Sequence, residues 1–150
     1  LETQFSLLVR IRDKLSETHG AVSQVRRIRS QVEQWIERVE GEDSHTALSR
    51  AADGLNEKLS AIESKLMHTA ITGGLDAIAY PARLNAKLSA LAKVVAGADG
   101  RPTTQSYEVF LELSARVVEQ LEELKEVADT DLTAFAGLVG KLGVPAIKPA

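Results

Sequence analysis

The strongest constraint on this chain is an apolar stripe, stepping by three and four residues, that recurs in four segments separated by Gly, Pro or Asp-Ser punctuation. Between Thr103 and Ala128 it reads Tyr107, Phe110, Ser114, Val117, Leu121, Leu124 and Ala128. Steps of that size turn one face of a helix toward a core. A chain of 150 residues is the length of one ordinary domain and can bury a core without disulfides or a metal. The expected fold is therefore all-α: an antiparallel up-down-up-down four-helix bundle with a long first helix and a short fifth C-terminal helix, forming a single domain over residues 1–150.

The first helix is predicted from about Glu2 to Val39, with Phe5, Leu8, Ile11, Leu15, Val22, Val25, Ile28, Val32, Trp35, Ile36 and Val39 on its stripe and Gly20 as a point of kinking or close packing. A second helix, capped by Asp43 or Ser44, presents Leu48, Ala51, Ala52, Leu55, Leu59, Ile62 and Leu66, and Gly73 and Gly74 lie beyond it. Pro81 suits the first turn of a third, which carries Leu84, Leu88, Leu91 and Val95. A fourth begins at Thr103 or Thr104. The fifth opens at Thr130, buries Leu132, Phe135, Leu138, Val139 and Leu142, and stops at Gly143 and Pro145.

These helices differ in length. At 1.5 Å per residue the first spans on the order of 55 Å and the third only about 25 Å, so part of the first must find cover elsewhere. Helix five, or the segment Ile71 to Ala79, is expected to pack on Phe5, Leu8, Ile11 and Leu15. The same four residues are also the candidate interface for a partner: an upstream part of the same chain, or a second copy.

Charge and composition narrow the chemistry. The net charge of −3 disfavours a dedicated nucleic-acid binder. No segment has the ~18 apolar residues of a membrane span, so no membrane insertion is expected. The absence of cysteine excludes disulfides, thiolate metal ligands and a cysteine nucleophile. Acidic residues crowd the fourth helix and basic ones the first, as in helices that pair along a seam. Within the first, Arg26, Arg27 and Arg29 form a weak candidate anion patch without interleaved aromatics. His19, His45 and His68 lack metal-ligand spacing: the only Glu-x-x-His pair, Glu42 with His45, falls in a predicted loop. Neither a phosphate-binding glycine loop nor a nucleophile elbow is present. Neither a catalytic residue, a metal nor a cofactor is expected. Trp35 and Tyr107 read as core residues whose polar tips reach backbone or water, and Asn85, Gln105 and Ser114 as polar residues that fix helix register.

Three stretches carry a family resemblance: RIRDKLSETHGAVSQVRRIRSQ from Arg10, YPARLNAKLSALAKVVAGAD from Tyr80 and PTTQSYEVFLELSARV from Pro102. Together they resemble the helical C-terminal region of large bacterial sortilin-like proteins, whose main body is a β-propeller with Asp-box repeats and which are often labelled glycosyl hydrolases. The resemblance runs from about Leu1 to Ile147, and the Gly73–Gly74 stretch departs from it. It implies an accessory bundle, excised from the C-terminal part of a larger exported protein and hence extracytoplasmic. No propeller catalytic residue maps onto this chain. The expected function is a non-enzymatic interaction, assembly or spacer module. The alternative is a ligand-sensing four-helix bundle that holds a small solute between helices.

Overall fold

The computed structural model describes residues 3–67 and 83–143, and among them there is no strand. The chain is an all-α helical bundle. Its helices are α1 (Gln4–Arg38), α2 (Glu42–Leu66), α3 (Leu84–Gly97), α4 (Thr104–Glu126) and α5 (Leu132–Lys141). A π-helical turn, Val127–Asp131, joins α4 to α5 without a break, so the fourth and fifth predicted helices form one continuous rod. No gap opens at Thr130 because the backbone there stays helical: the Leu132 N–H reaches the Val127 carbonyl, five residues back.

Local signals set the boundaries. Thr3 and Thr103 accept hydrogen bonds on their Oγ1 atoms from the backbone N–H groups of Ser6 and Ser106, both at 3.1 Å, capping α1 and α4. Such caps are worth about 1 kcal/mol each. The turn between α1 and α2 needs a left-handed residue, supplied by Gly41 at φ 93°, and Gly143 at φ 73° ends α5. Gly20 does not end α1, which runs through it, and a Cβ built there would meet nothing within 4 Å.

Every helix buries a strict three-four seam. In α3 it is Leu84, Leu88, Leu91 and Val95, and in α2 it is Leu48, Ala52, Leu55, Leu59, Ile62 and Leu66, as the sequence pattern gives them. In α1 the seam is Leu7, Ile11, Thr18, Ala21, Val25, Ile28, Val32 and Trp35. In α4 it is Ser106, Phe110, Leu113, Val117, Gln120 and Leu124, followed by Val127 in the π turn. Tyr107, Ser114, Leu121 and Ala128 therefore flank the α4 seam instead of forming it. The physical reason is that Ser106 and Gln120 occupy seam positions while apolar residues stand beside them.

The π turn explains where the α5 side chains point. Continued at three-four spacing, the seam from Val127 would reach Ala134 and Leu138. The π turn takes in one residue more than an α turn, which rotates the following helix so that Phe135 and Val139 are buried.

Contacts divide the chain into two compact units. The first comprises residues 1–22 and 63–121. Here the Gln4 amide of α1 donates to the carbonyls of Val95 at 2.6 Å and of Ala96 and Ala98 at 3.2 Å, satisfying C-terminal acceptors of α3 that the helix leaves open. Arg10 lies over the Phe110 ring, 4.8 Å from its centroid. The second unit comprises residues 23–62 and 122–150. There Trp35 meets Phe135 with ring centroids 5.7 Å apart, and Lys58 of α2 pairs with Asp131 at 2.9 Å.

Within each unit, helices joined by a short connection run antiparallel: α3 with α4 in the first, α1 with α2 in the second.

Candidate functional site

Of the candidate interface residues, all in the first unit, the structure separates Ile11 from the others. Ile11 is fully buried in the seam, Leu8 and Leu15 are half-buried on its flank, and Phe5 is 76% exposed. The seam residues on this stretch are Leu7 and Thr18. Two polar side chains disguise the register. Lys14 lays its stem along the helix and pairs with Glu17 at 2.8 Å, and the buried Thr18 hydroxyl donates to the Lys14 carbonyl at 2.9 Å. The start of α1 meets the end of α3 through Gln4, within the first unit; α5 lies in the second unit, against Trp35. The other expected cover, Ile71 to Ala79, lies outside the described residues, as do Pro81, Gly73, Gly74 and His68.

The arginine patch is in the second unit. Arg29 turns to α2, where its guanidinium donates to the Ser60 hydroxyl at 2.8 Å, while Arg26 and Arg27 stand on the exposed side of α1. The three do not converge on one point. Of the polar residues expected to fix register, Gln105 is exposed and the Ser114 hydroxyl has no hydrogen-bond partner. Thr18, Ser106 and Gln120 occupy the buried positions instead. Trp35 is buried as expected, but its Nε1 makes no hydrogen bond to the protein.

Two features of the first unit escaped the sequence pattern. One is an apolar groove between α3 and α4, about 570 Å³, whose floor and walls include Ala90, Leu91, Val94, Val109 and Leu113. Val94 on its wall is 63% exposed, so an aliphatic side chain stands open to solvent beside the apolar groove. The other is a basic pocket where α2 ends and α3 begins, lined by Lys65, Arg83, Lys87 and Arg116. Its residues come from three helices and share no spacing in the sequence, so only the fold brings them together.

In the second unit, the hydrogen bond from Lys58 to the Asp131 carboxylate and the charge of that carboxylate hold the Lys58 ammonium above the usual lysine value of 10.5, with Glu126 adding to the effect. This pair ties α2 to the end of the π turn. Among the described residues no group of three or more His, Cys, Asp or Glu side chains could hold a metal ion. No described helix is long and apolar enough to cross a membrane. Set against known protein families, curated proteins and solved structures, the chain matches none.

Proposed function

We propose that this chain is a non-enzymatic helical interaction module that associates with a second copy of itself through apolar side chains on helix surfaces. The observation that supports this reading is the open α3–α4 groove with Val94 exposed on its wall. The same unit carries side chains suited to fill such a groove. Phe5 on α1 and Leu111 on α4 are 76% and 58% exposed. Leu111 lines the α1–α4 side together with Arg10 and Phe110, away from the groove. In the contact proposed, one copy offers the groove and the next the protruding side chains, a heterologous arrangement. The wider setting, an accessory bundle on an exported sortilin-like propeller protein, rests on the sequence resemblance and belongs to the same proposal.

Complementation tests the pairing. Val94→Glu disables the groove, and Phe5→Ser with Leu111→Ser removes the protruding side chains. Each variant alone should lose self-association in sedimentation velocity, and an equimolar mixture should regain a complex at the one intact pairing. A mixture as monomeric as its components would refute the groove-to-side-chain contact.

A further inference from the structure

The basic pocket has a chemistry unlike that of the groove. It measures about 310 Å³, and among the described residues four cations, Lys65, Arg83, Lys87 and Arg116, line it with Glu119 as the single carboxylate. Arg116 is partly neutralised by Glu112 at 2.7 Å, but a guanidinium carries five N–H donors and keeps others available. Arg83 stands at the N-cap of α3 with extended backbone and makes no capping hydrogen bond through its side chain. The first N–H groups of this 14-residue helix, which also lines the pocket with Leu84, therefore have no acceptor in the N-cap side chain. Unsatisfied N–H groups and the positive end of the helix dipole favour an anion at this point.

A second observation is independent of charge. Gln120 lines the pocket at 4% exposure, and its Oε1 atom has no hydrogen-bond partner, nor does the buried Nε of Arg83. Buried polar atoms are nearly always paired, so unpaired ones on a pocket wall point to a ligand that pairs them. Arg83 Nε calls for an acceptor and Gln120 Oε1 for a donor.

We propose that this pocket binds a small phosphate monoester, its phosphate held at the α3 N-terminus by Arg83, Lys87 and Lys65, with a hydroxyl or amine of the ligand donating to Gln120. The cation count exceeds what one carboxylate would neutralise, and arginine matches phosphate oxygens two at a time. The volume is at the lower end of small-ligand cavities and larger than inorganic phosphate alone requires. Among the described residues that line the pocket there is no aromatic ring on which a nucleic-acid base could stack.

Calorimetric titration at fixed ionic strength tests the site, with inorganic phosphate and glycerol 3-phosphate as probes and chloride as the control anion. Both probes should bind saturably, glycerol 3-phosphate more tightly, and chloride should not. The double variant Arg83→Gln/Lys65→Gln should weaken both by about tenfold or more, the scale of losing charge-assisted hydrogen bonds. Arg26→Gln/Arg27→Gln, in the other unit, should leave affinity unchanged. Neither Arg83 nor Lys65 lines the α3–α4 groove, so self-association should persist in the double variant, and the two proposals fail separately. A circular-dichroism melt confirms that each variant is folded, and Gln120→Leu, which should erase the preference for glycerol 3-phosphate over phosphate, supplies a second route. No saturable binding by the wild type, or equal affinity in the folded double variant, would overturn the assignment.

Discussion

Inserting one alanine after Thr130 should destabilise the protein, whereas deleting Thr130 should not. Thr130 is exposed and lies inside the turn Val127–Asp131, which already takes in one residue more than an α turn. Deletion leaves a plain α-helix in which Phe135 and Val139 each move up one place and stay in the seam, at the three-four positions counted from Val127. A further inserted residue instead rotates every later residue by about 100°, one residue's worth of helix. Phe135 and Val139, now 3% and 4% exposed, would leave the seam, and Ala134 and Leu138 would replace them. Exchanging a buried Phe for Ala costs about 3–5 kcal/mol. Exchanging Val for Leu returns at most about 0.8 kcal/mol, one methylene. The net loss is roughly 2–4 kcal/mol, a large part of a typical stability of about 5–15 kcal/mol. In a chain of this size it should lower Tm by roughly 5–15 °C. Thermal and urea melts followed by circular dichroism read the effect. Phe135→Ala in the intact chain should cost a similar amount, and combining it with the insertion should add little, because both remove the Trp35 contact. An insertion variant as stable as the wild type, or a deletion variant that loses as much as the insertion, would refute the claim that the π turn sets the register of α5.

Gln4→Ala removes a donor from three carbonyls at the end of α3, of which Val95 still accepts from the Ala98 N–H, so stability should fall by about 1–3 kcal/mol, with faster amide hydrogen exchange concentrated in α3. Gly20→Ala should do the reverse: a Cβ there meets nothing within 4 Å on an ordinary helix, and the melt should shift upward by about 0.5–1 kcal/mol. Because Asp131 raises the Lys58 pKa on folding, that pairing contributes stability fully below the unfolded value of 10.5 and loses it as pH rises through the folded value. Asp131→Asn should therefore narrow the stability gap to the wild type at pH above 10.5, measured as urea midpoints across an alkaline series. A gap that is constant with pH would contradict the assignment.

The sequence pattern is most legible where the seam is wholly apolar. In α2 and α3 nothing but Leu, Ile, Val and Ala occupies the principal three-four positions, and the stripe read from the sequence is the stripe buried, except that Ala51 is half-buried and Glu63 is buried beside it. In α1 and α4 it slips. Thr18 and Gln120 sit in the seam and Lys14 is half-buried between Ile11 and Thr18, whereas Leu15 and Leu121 stand next to Lys14 and Gln120, so hydrophobicity alone favours the wrong neighbour there. Thr18 is tolerated because its hydroxyl bonds within its own helix, an arrangement that the residue type does not reveal. The π turn leaves a faint trace: the apolar phase running to Val127 does not continue to Phe135 and Val139 unless one residue is inserted. The basic pocket leaves none, since Lys65, Arg83, Lys87 and Arg116 meet only through tertiary packing. Arg26, Arg27 and Arg29 drew attention by adjacency, yet adjacent residues on a helix point in different directions.

The solution mass of the chain, measured by light scattering across a concentration series, tests the central claim most directly. The account predicts a mass that rises above the 16.2 kDa of one chain as concentration increases, and that returns to 16.2 kDa in the Val94→Glu variant with its helical circular-dichroism signal intact. A wild-type mass fixed at 16.2 kDa over the whole series would contradict it.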